Sequence, residues 1–283
     1  MNVLLALAGA LLRLVNAARR ALYRAGLLRS RRLPRPVISV GNIVAGGAGK
    51  TPAVIAMARL LSGKGMKVAV LTRGYGREDS RASGLVDTLD AAKFGDEPVL
   101  IKKSISNVDV IVGHKRFDNA IRYLEHHSCD VFLLDDGFQH MQIHRDLDIV
   151  IDAGHARLHR ESRSALRHAG LVIPRRLRLE VPDSVRGKRV LAFAALAGNR
   201  QFFRALEEAG LELAATIEFP DHHRYDAADL ARIEARAGDA GAAAIVTTEK
   251  DAVKIDGHDI IPIPAQFVFD PGAVERILAA VSR

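Results

Sequence analysis

The chain contains no tryptophan, and aromatic residues make up only 5% of its 283 positions. The stacking platforms of single-strand nucleic-acid binders are therefore scarce. It has one cysteine, Cys129, which excludes an internal disulfide and suits a reducing compartment. Cys129 reads as a small buried apolar residue rather than a nucleophile. No zinc-ligand spacing, internal repeat or low-complexity tract is present. At the N-terminus the uncharged run from Asn2 to Leu12 is too short to span a bilayer, and it lacks a signal peptide's basic start and clear cleavage site. Acidic residues are outnumbered, 33 against 41 basic ones, giving a net charge of +8. That balance admits nucleic acid, anionic lipid or an acidic substrate as partner. No nucleic-acid motif accompanies it.

What is present centres on Pro36 to Pro52, PVISVGNIVAGGAGKTP. A β-prone apolar run, Val37 to Val40, leads into Gly46, Gly47, Ala48, Gly49, Lys50 and Thr51, and a helix-compatible stretch follows. Strand, glycine turn, Lys-Thr and helix form the context of a phosphate-binding loop. Glycines let backbone N–H groups turn inward, and the helix N-terminus favours an anion. Lys50 would reach the outer phosphates of a nucleotide, and Thr51 would hold Mg²⁺. Val44 stands where the usual pattern has its first glycine, and Ala45 where the signature-lysine variant has lysine.

The flanking sequence predicts three parts. In residues 1–35, Leu4, Leu7, Leu11, Val15 and Leu22 fall within about 80° on a helical projection. Arg13, Arg20 and Arg24 project from the opposite side. A basic amphipathic helix lying on an anionic membrane fits this pattern, the alternative being a helix docked on the protein's own core. Residues 36–180 alternate strands and helices in the manner of a mostly parallel α/β sheet, with Pro174 to Val185 reading as a linker. Residues 181–283 read as a second, smaller α/β unit ending in a helix at Pro271 to Val281. Asp135 and Asp136 close an apolar strand downstream of the glycine loop, where carboxylates can hold Mg²⁺. Asp221-His222-His223 and Thr247-Thr248-Glu249-Lys250-Asp251 each follow a strand in the second unit. Histidine suits proton transfer near neutral pH, though adjacent histidines also occur in exposed loops.

Six segments in order, VGNIVAGGAGKTP, LTRGYG, GDEPVL, DDGFQH with RDLDIVIDA, FPDHHRY and TTEKDAVK, resemble the tetraacyldisaccharide 4′-kinases. They run from about residue 36 to 255. The resemblance implies a P-loop core domain, a smaller α/β domain, an active site between them and a membrane-associating N-terminal helix. It implies ATP and Mg²⁺, and an acylated disaccharide-1-phosphate acceptor phosphorylated at its 4′ position. Lys50 and Thr51 would then serve ATP and Mg²⁺, with Asp135 and Asp136 near the metal. Asp96 would be the catalytic base, aided by His222. Arg116 would lie near the phosphates, and Gln139 belongs to the matching DDGFQH segment. Arg160 and Glu161 align with an Arg-Glu pair serving phosphates and metal. The segment after Asp152 is shorter than usual, and Ser162 replaces a proline.

The implied reaction is phosphoryl transfer to a sugar hydroxyl, by a peripheral monomer on the cytoplasmic face of the inner membrane. Two other readings fit parts of the chain. One is a membrane-bound P-loop NTPase acting as a regulatory module, which would need neither Asp96 nor His222. The other is a weakened kinase homologue, suggested by the shortened 153–165 region.

Overall fold

The computed structural model describes the chain except residues 1, 45–48, 76, 78, 80–82, 155–158, 256 and 283, with residues 2–8 described by backbone alone. Gly46, Gly47 and Ala48 of the glycine loop, and the side chains of Leu4 and Leu7, thus lie outside the described residues. Helix α1 (Asn2–Arg24) precedes β1 (Val37–Gly41), α2 (Lys50–Ser62), β2 (Val68–Thr72), β3 (Gly84–Leu85), α3 (Ala91–Phe94) and α4 (Asp96–Ser104). Then come β4 (Asp109–Val112), α5 (Arg116–His126), β5 (Val131–Asp135), β6 (Leu147–Asp152), β7 (Leu171–Pro174) and β8 (Leu177–Leu179). The chain continues through β9 (Arg189–Ala194), α6 (Asn199–Glu208), β10 (Glu212–Glu218), α7 (Ala227–Asp239), β11 (Ala244–Thr248) and α8 (Glu249–Ala252). It closes with β12 (Ile260–Ile263), β13 (Ala265–Phe267) and α9 (Pro271–Val281).

Seven strands form one sheet in the order β3-β4-β2-β5-β1-β6-β7, parallel except at the β3 edge. Its strands are apolar on both faces, as a sheet covered on both sides requires. Ile38, Val40, Val70 and Leu133 point to one face, under Val54, Met57 and Leu61 of α2 and Val99 and Ile101 of α4. Val37, Leu71, Phe132 and Leu134 point to the other, under Ala120 and Tyr123 of α5. The period-2 alternation of a strand supplies both cores from the same residues. A second, all-parallel sheet has the order β10-β9-β11-β12. Its central β9 packs Val190, Ala192 and Ala194 against Phe202, Phe203 and Leu206 of α6. Leu191 and Phe193 meet Ile233 and Ala237 of α7 on the opposite face.

The expected mostly parallel α/β core is thus present, but the segment read as a linker carries strands. Pro174 ends β7 at the sheet edge, and β8 pairs antiparallel with β13. These strands are three or four residues long, and two arginines separate β7 from β8, so they show little periodicity. The closing helix α9 also differs from its expected place beside the second sheet. Its Ala273 and Ile277, with Phe267 of β13, enter the core of the seven-stranded sheet.

Helix α1 docks through its polar side. Asn16 Nδ2 donates to the Arg160 carbonyl at 3.0 Å, and Arg20 is buried with its guanidinium 4.5 Å over the Phe138 ring. Leu11, Leu14, Val15 and Leu22 face away from the protein, with Leu11 and Leu14 61% and 67% exposed. Arg20, expected on an outward basic face, therefore belongs to the protein side of the helix. No helix among the described residues is long and apolar enough to cross a membrane.

Candidate active site

The parallel strands of the large sheet present their carboxyl ends along one edge, where such sheets bind ligands. Beyond the end of β1, Gly49 takes a left-handed backbone (φ 75°) just before α2, whose first residues are Lys50 and Thr51. Lys50 Nζ lies 3.1 Å from the Asp136 carboxylate and 3.4 Å from Asn42 Oδ1. Thr51 is buried at the helix start.

Strand β5 ends at Asp135, between β1 and β2. Asp135 Oδ2 accepts from Thr72 Oγ1 at 2.9 Å, while its buried Oδ1 has no hydrogen-bond partner among the described residues. Burial, with the neighbouring charges of Glu97 and Asp136, pushes this carboxyl up to about 6. Asp136 turns the other way on a left-handed backbone (φ 48°). Its carboxylate meets Lys50 and, at 2.9 Å, Arg160 Nη1. Burial works to raise it, but these two cations outweigh burial and hold it well below the usual carboxylate range.

Arg116 opens α5 and is only 1% exposed. Its Nη1 donates to the Asp135 carbonyl at 2.6 Å, while Nε and Nη2 are buried without hydrogen-bond partners among the described residues. Burial, reinforced by the charge of Arg73, lowers this guanidinium to about 10. A buried cation with unused donors suits an incoming anion. Gln139 Nε2 donates to the Asn42 carbonyl and to Glu161 Oε1, both at 2.9 Å. Glu161, aligned with a metal ligand by the sequence, is held by Arg20: Nη2 donates to Oε2 at 2.7 Å and to Oε1 at 2.9 Å.

The second cluster joins the two sheets. Asp96 sits in the first turn of α4, where the helix dipole favours a carboxylate, and its Oδ1 accepts from the Glu97 N–H at 3.0 Å. Gly95 before it leaves room for the loop that follows β2: a Cβ there would stand 2.9 Å from the Tyr75 carbonyl oxygen. His222 reaches Asp96 from 126 residues away, Nδ1 to Oδ2 at 3.0 Å. His222 has a left-handed backbone (φ 61°), and its ring meets Tyr75 edge-on at 4.9 Å. Burial works to raise the Asp96 carboxyl, yet the His222 hydrogen bond and the charges of Lys250, His222 and Lys254 bring it below its ordinary value. The same hydrogen bond raises the His222 imidazole, against burial and Lys250. The Glu97 charge acts on both Asp135 and Lys250, which links the two clusters.

Comparisons with known proteins converge on one family. A family profile described as tetraacyldisaccharide-1-P 4′-kinase matches residues 1–163 and 153–283. The tetraacyldisaccharide 4′-kinase of Anaeromyxobacter dehalogenans strain 2CP-C is 40% identical over 305 aligned positions, covering 89% of this chain and 81% of that protein. The chain belongs to the tetraacyldisaccharide-1-P 4′-kinase family. The kinase of Geobacter sulfurreducens aligns over 99% of this chain and 94% of its own length at 35% identity. The crystal structure of LpxK from Aquifex aeolicus in complex with ATP superposes with a TM-score of 0.80 at 27% identity, covering 100% of this chain and 99% of that one.

Within this family framework, the structure brings the predicted residues into two groups. Lys50, Asp136 and Arg160 meet directly, with Asp135, Arg116 and Gln139 on adjoining turns; Asp96 and His222 form the other group. Reading the sequence did not single out Asn16, Asn42 or Thr72 for the first group, nor a site role for Arg20. For Lys250 the only signal was its place in the TTEKD segment after a strand.

Proposed function

We propose that this protein transfers the γ-phosphoryl group of ATP to the 4′-hydroxyl of a tetraacyldisaccharide-1-phosphate, a lipid A precursor. The observation that carries the reading is the Asp96–His222 contact of 3.0 Å beside a cluster of cations suited to phosphates. A nucleotide-hydrolysing module has no use for a carboxylate–histidine pair aimed at an acceptor, so the kinase reading is favoured.

Asp96 would take the proton of the acceptor hydroxyl as its oxygen attacks the γ-phosphorus and the bond to the bridging oxygen breaks, releasing ADP. His222 orients the carboxylate. Lys50, Arg116 and Arg160 would spread the charge of the transferring group, with the α2 N-terminus cradling phosphate oxygens. Lys50 and Arg160 now face Asp136, so an arriving phosphate competes with that carboxylate for them. Mg²⁺ fits at Thr51, Asp135 and Asp136, because Asp135 Oδ1 is a buried oxygen without a partner and the donor set is all oxygen. When bound, the ion neutralises charge on the phosphates. Glu161 would join it only by leaving Arg20.

The exposed leucines of α1 and the arginines around them support a peripheral seat on an anionic membrane, on the cytoplasmic face of the inner membrane. We assign residues 1–35 to the membrane, residues 36–180 with the returning β13 and α9 to the nucleotide, and the four-stranded sheet between them to completing the acceptor side.

The test is transfer of labelled phosphate from ATP to a disaccharide-1-phosphate lipid acceptor. Lys50→Ala and Asp136→Ala should abolish transfer with the fold intact by circular dichroism. Near wild-type rates in either folded variant would remove the nucleotide-site assignment.

A further inference from the structure

Lys250 belongs to a segment whose other residues are fully occupied in holding it in place. Thr248 caps the short helix α8, its Oγ1 accepting from the Asp251 N–H at 3.0 Å and donating to Asp251 Oδ2 at 2.7 Å. Asp251, wholly buried, also accepts from the Ala195 N–H at 3.0 Å, which ties α8 to the end of β9. Between these anchors the Lys250 side chain, 15% exposed, points into the Asp96 cluster. Its Nζ lies 3.1 Å from His222 Nε2, 3.6 Å from Asp221, 3.7 Å from Glu97 and 3.8 Å from Asp96. Burial works against its charge, but Glu97, Asp96, Asp221 and Asp251 outweigh burial and keep it an ammonium.

An ammonium has three donors and no acceptor. The His222 nitrogen 3.1 Å from it must therefore offer a lone pair. That leaves the proton of the neutral ring on Nδ1, facing Asp96 Oδ2 at 3.0 Å. We propose that Lys250 is a positioning residue that fixes neutral His222 as its Nδ1–H tautomer and so aims a donor at Asp96. The proposal rests on the reading of Asp96 as base and extends it by one residue. Without Lys250, His222 Nε2 is free to hold the proton and turn to Asp221, whose Oδ1 lies 3.8 Å away. The Nδ1 lone pair would then oppose the Asp96 carboxylate, and the base would lose its orientation. Protonating the ring has the same effect on the Lys250 side, since it sets an N–H against an ammonium. The charged groups around the ring are Asp96 and Glu97 from α4, Asp221 from its own loop and Lys250 from α8. Tyr75 covers the ring edge.

The test is the ¹⁵N spectrum of the His222 imidazole in the full-length enzyme above the pH of ring protonation. Wild type should show Nδ1 protonated and Nε2 bare; a protonated Nε2 overturns the proposal without any variant. In Lys250→Met the ring should shift towards the Nε2–H tautomer and titrate at higher pH. Its kcat should fall about tenfold to a hundredfold, less than the loss from removing the base itself, with KM for ATP unchanged. Lys250→Arg, which keeps a donor, should recover most of kcat. A Met variant with the wild-type tautomer and full kcat overturns the proposal. If Asp96→Asn keeps full transfer activity, the base assignment fails, while the tautomer measurement still reports on Lys250.

Discussion

Two non-glycine residues among those described hold left-handed backbones, Asp136 and His222, and each carries a charged contact of the site. A non-glycine residue pays about 1–2 kcal/mol for that conformation, and it persists where the surroundings demand it. At Asp136 the turn aims the carboxylate at Lys50 and Arg160 and away from Asp135. Two adjacent carboxyl groups are thereby driven apart, one upward by burial and like charge, the other downward by cations. At His222 the turn delivers the ring to Asp96. The pH dependence of that pair follows from its shifts. Asp96 is depressed below its ordinary value of 3.8, so its contribution is present above that value and is lost as pH falls through the lower folded value. His222 is raised above 6.5, so its contribution is full below that value and is lost as pH climbs through the higher folded one. The pair should stabilise the fold most between about pH 4 and 6.5. Urea midpoints of wild type and His222→Gln should differ most near the middle of that window and converge at either side. A difference constant from acid to alkaline pH would mean that the ring and Asp96 do not titrate against each other.

Helix α1 divides two tasks between its sides. Arg20 grips Glu161, Asn16 grips the Arg160 backbone, and Arg160 in turn holds Asp136. The opposite side leaves Leu11, Leu14 and Leu22 uncovered. Replacing these three leucines with serine should lower sedimentation with anionic vesicles more than tenfold, since a leucine in apolar surroundings is worth roughly 1.5–3 kcal/mol when fully buried. Transfer to detergent-dispersed acceptor should stay within about twofold. Arg20→Ala should do the reverse. It strands a buried carboxylate, at about 3–5 kcal/mol, and loosens Arg160, so stability and transfer fall while vesicle binding holds. Equal vesicle binding by the serine variant would show that the leucines do not meet lipid. This helix also shows what could be read from sequence and what could not. Its amphipathic pattern was legible because it is local, as were Lys50, Asp135 and Asp136, which sit in short motifs at strand and helix ends, whereas Asp96 was reached only through the family resemblance. The side on which it docks was not legible, because Arg20 looks like any solvated arginine until Glu161, 141 residues away, is placed against it. Lys250 was hidden in the same way, its partners lying in other loops. Strands β7, β8 and β13 escaped notice because three or four residues carry too little periodicity.

The path of the chain makes the four-stranded sheet an insertion within the larger body. After β7 the chain forms β8, builds the second sheet, and returns as β13 beside β8, so that the Glu180 N–H donates to the Pro264 carbonyl at 2.9 Å. Phe267, Ala273 and Ile277 then fill the same core as Val54 and Met57 of α2. A body ending at residue 180 lacks these side chains and leaves that face of α2 in water. We predict that a fragment of residues 1–180 fails to unfold cooperatively. A chain joining Glu180 to Pro264 through a short glycine linker should fold, because the two residues are already hydrogen-bonded neighbours. That deletion removes His222 and Lys250, so it should bind ATP but transfer no phosphate. Ile277→Ala in the full chain, far from the site, should cost about 2–5 kcal/mol in urea denaturation, the usual range for emptying a buried aliphatic position. Its transfer rate under native conditions should stay near wild type, because Ile277 touches the core and not the cations. If the 1–180 fragment is soluble and unfolds in a single sharp transition, the C-terminal helix is an accessory to the large sheet. If the deletion chain alone does so, the nucleotide-binding body is completed by residues from both ends of the sequence.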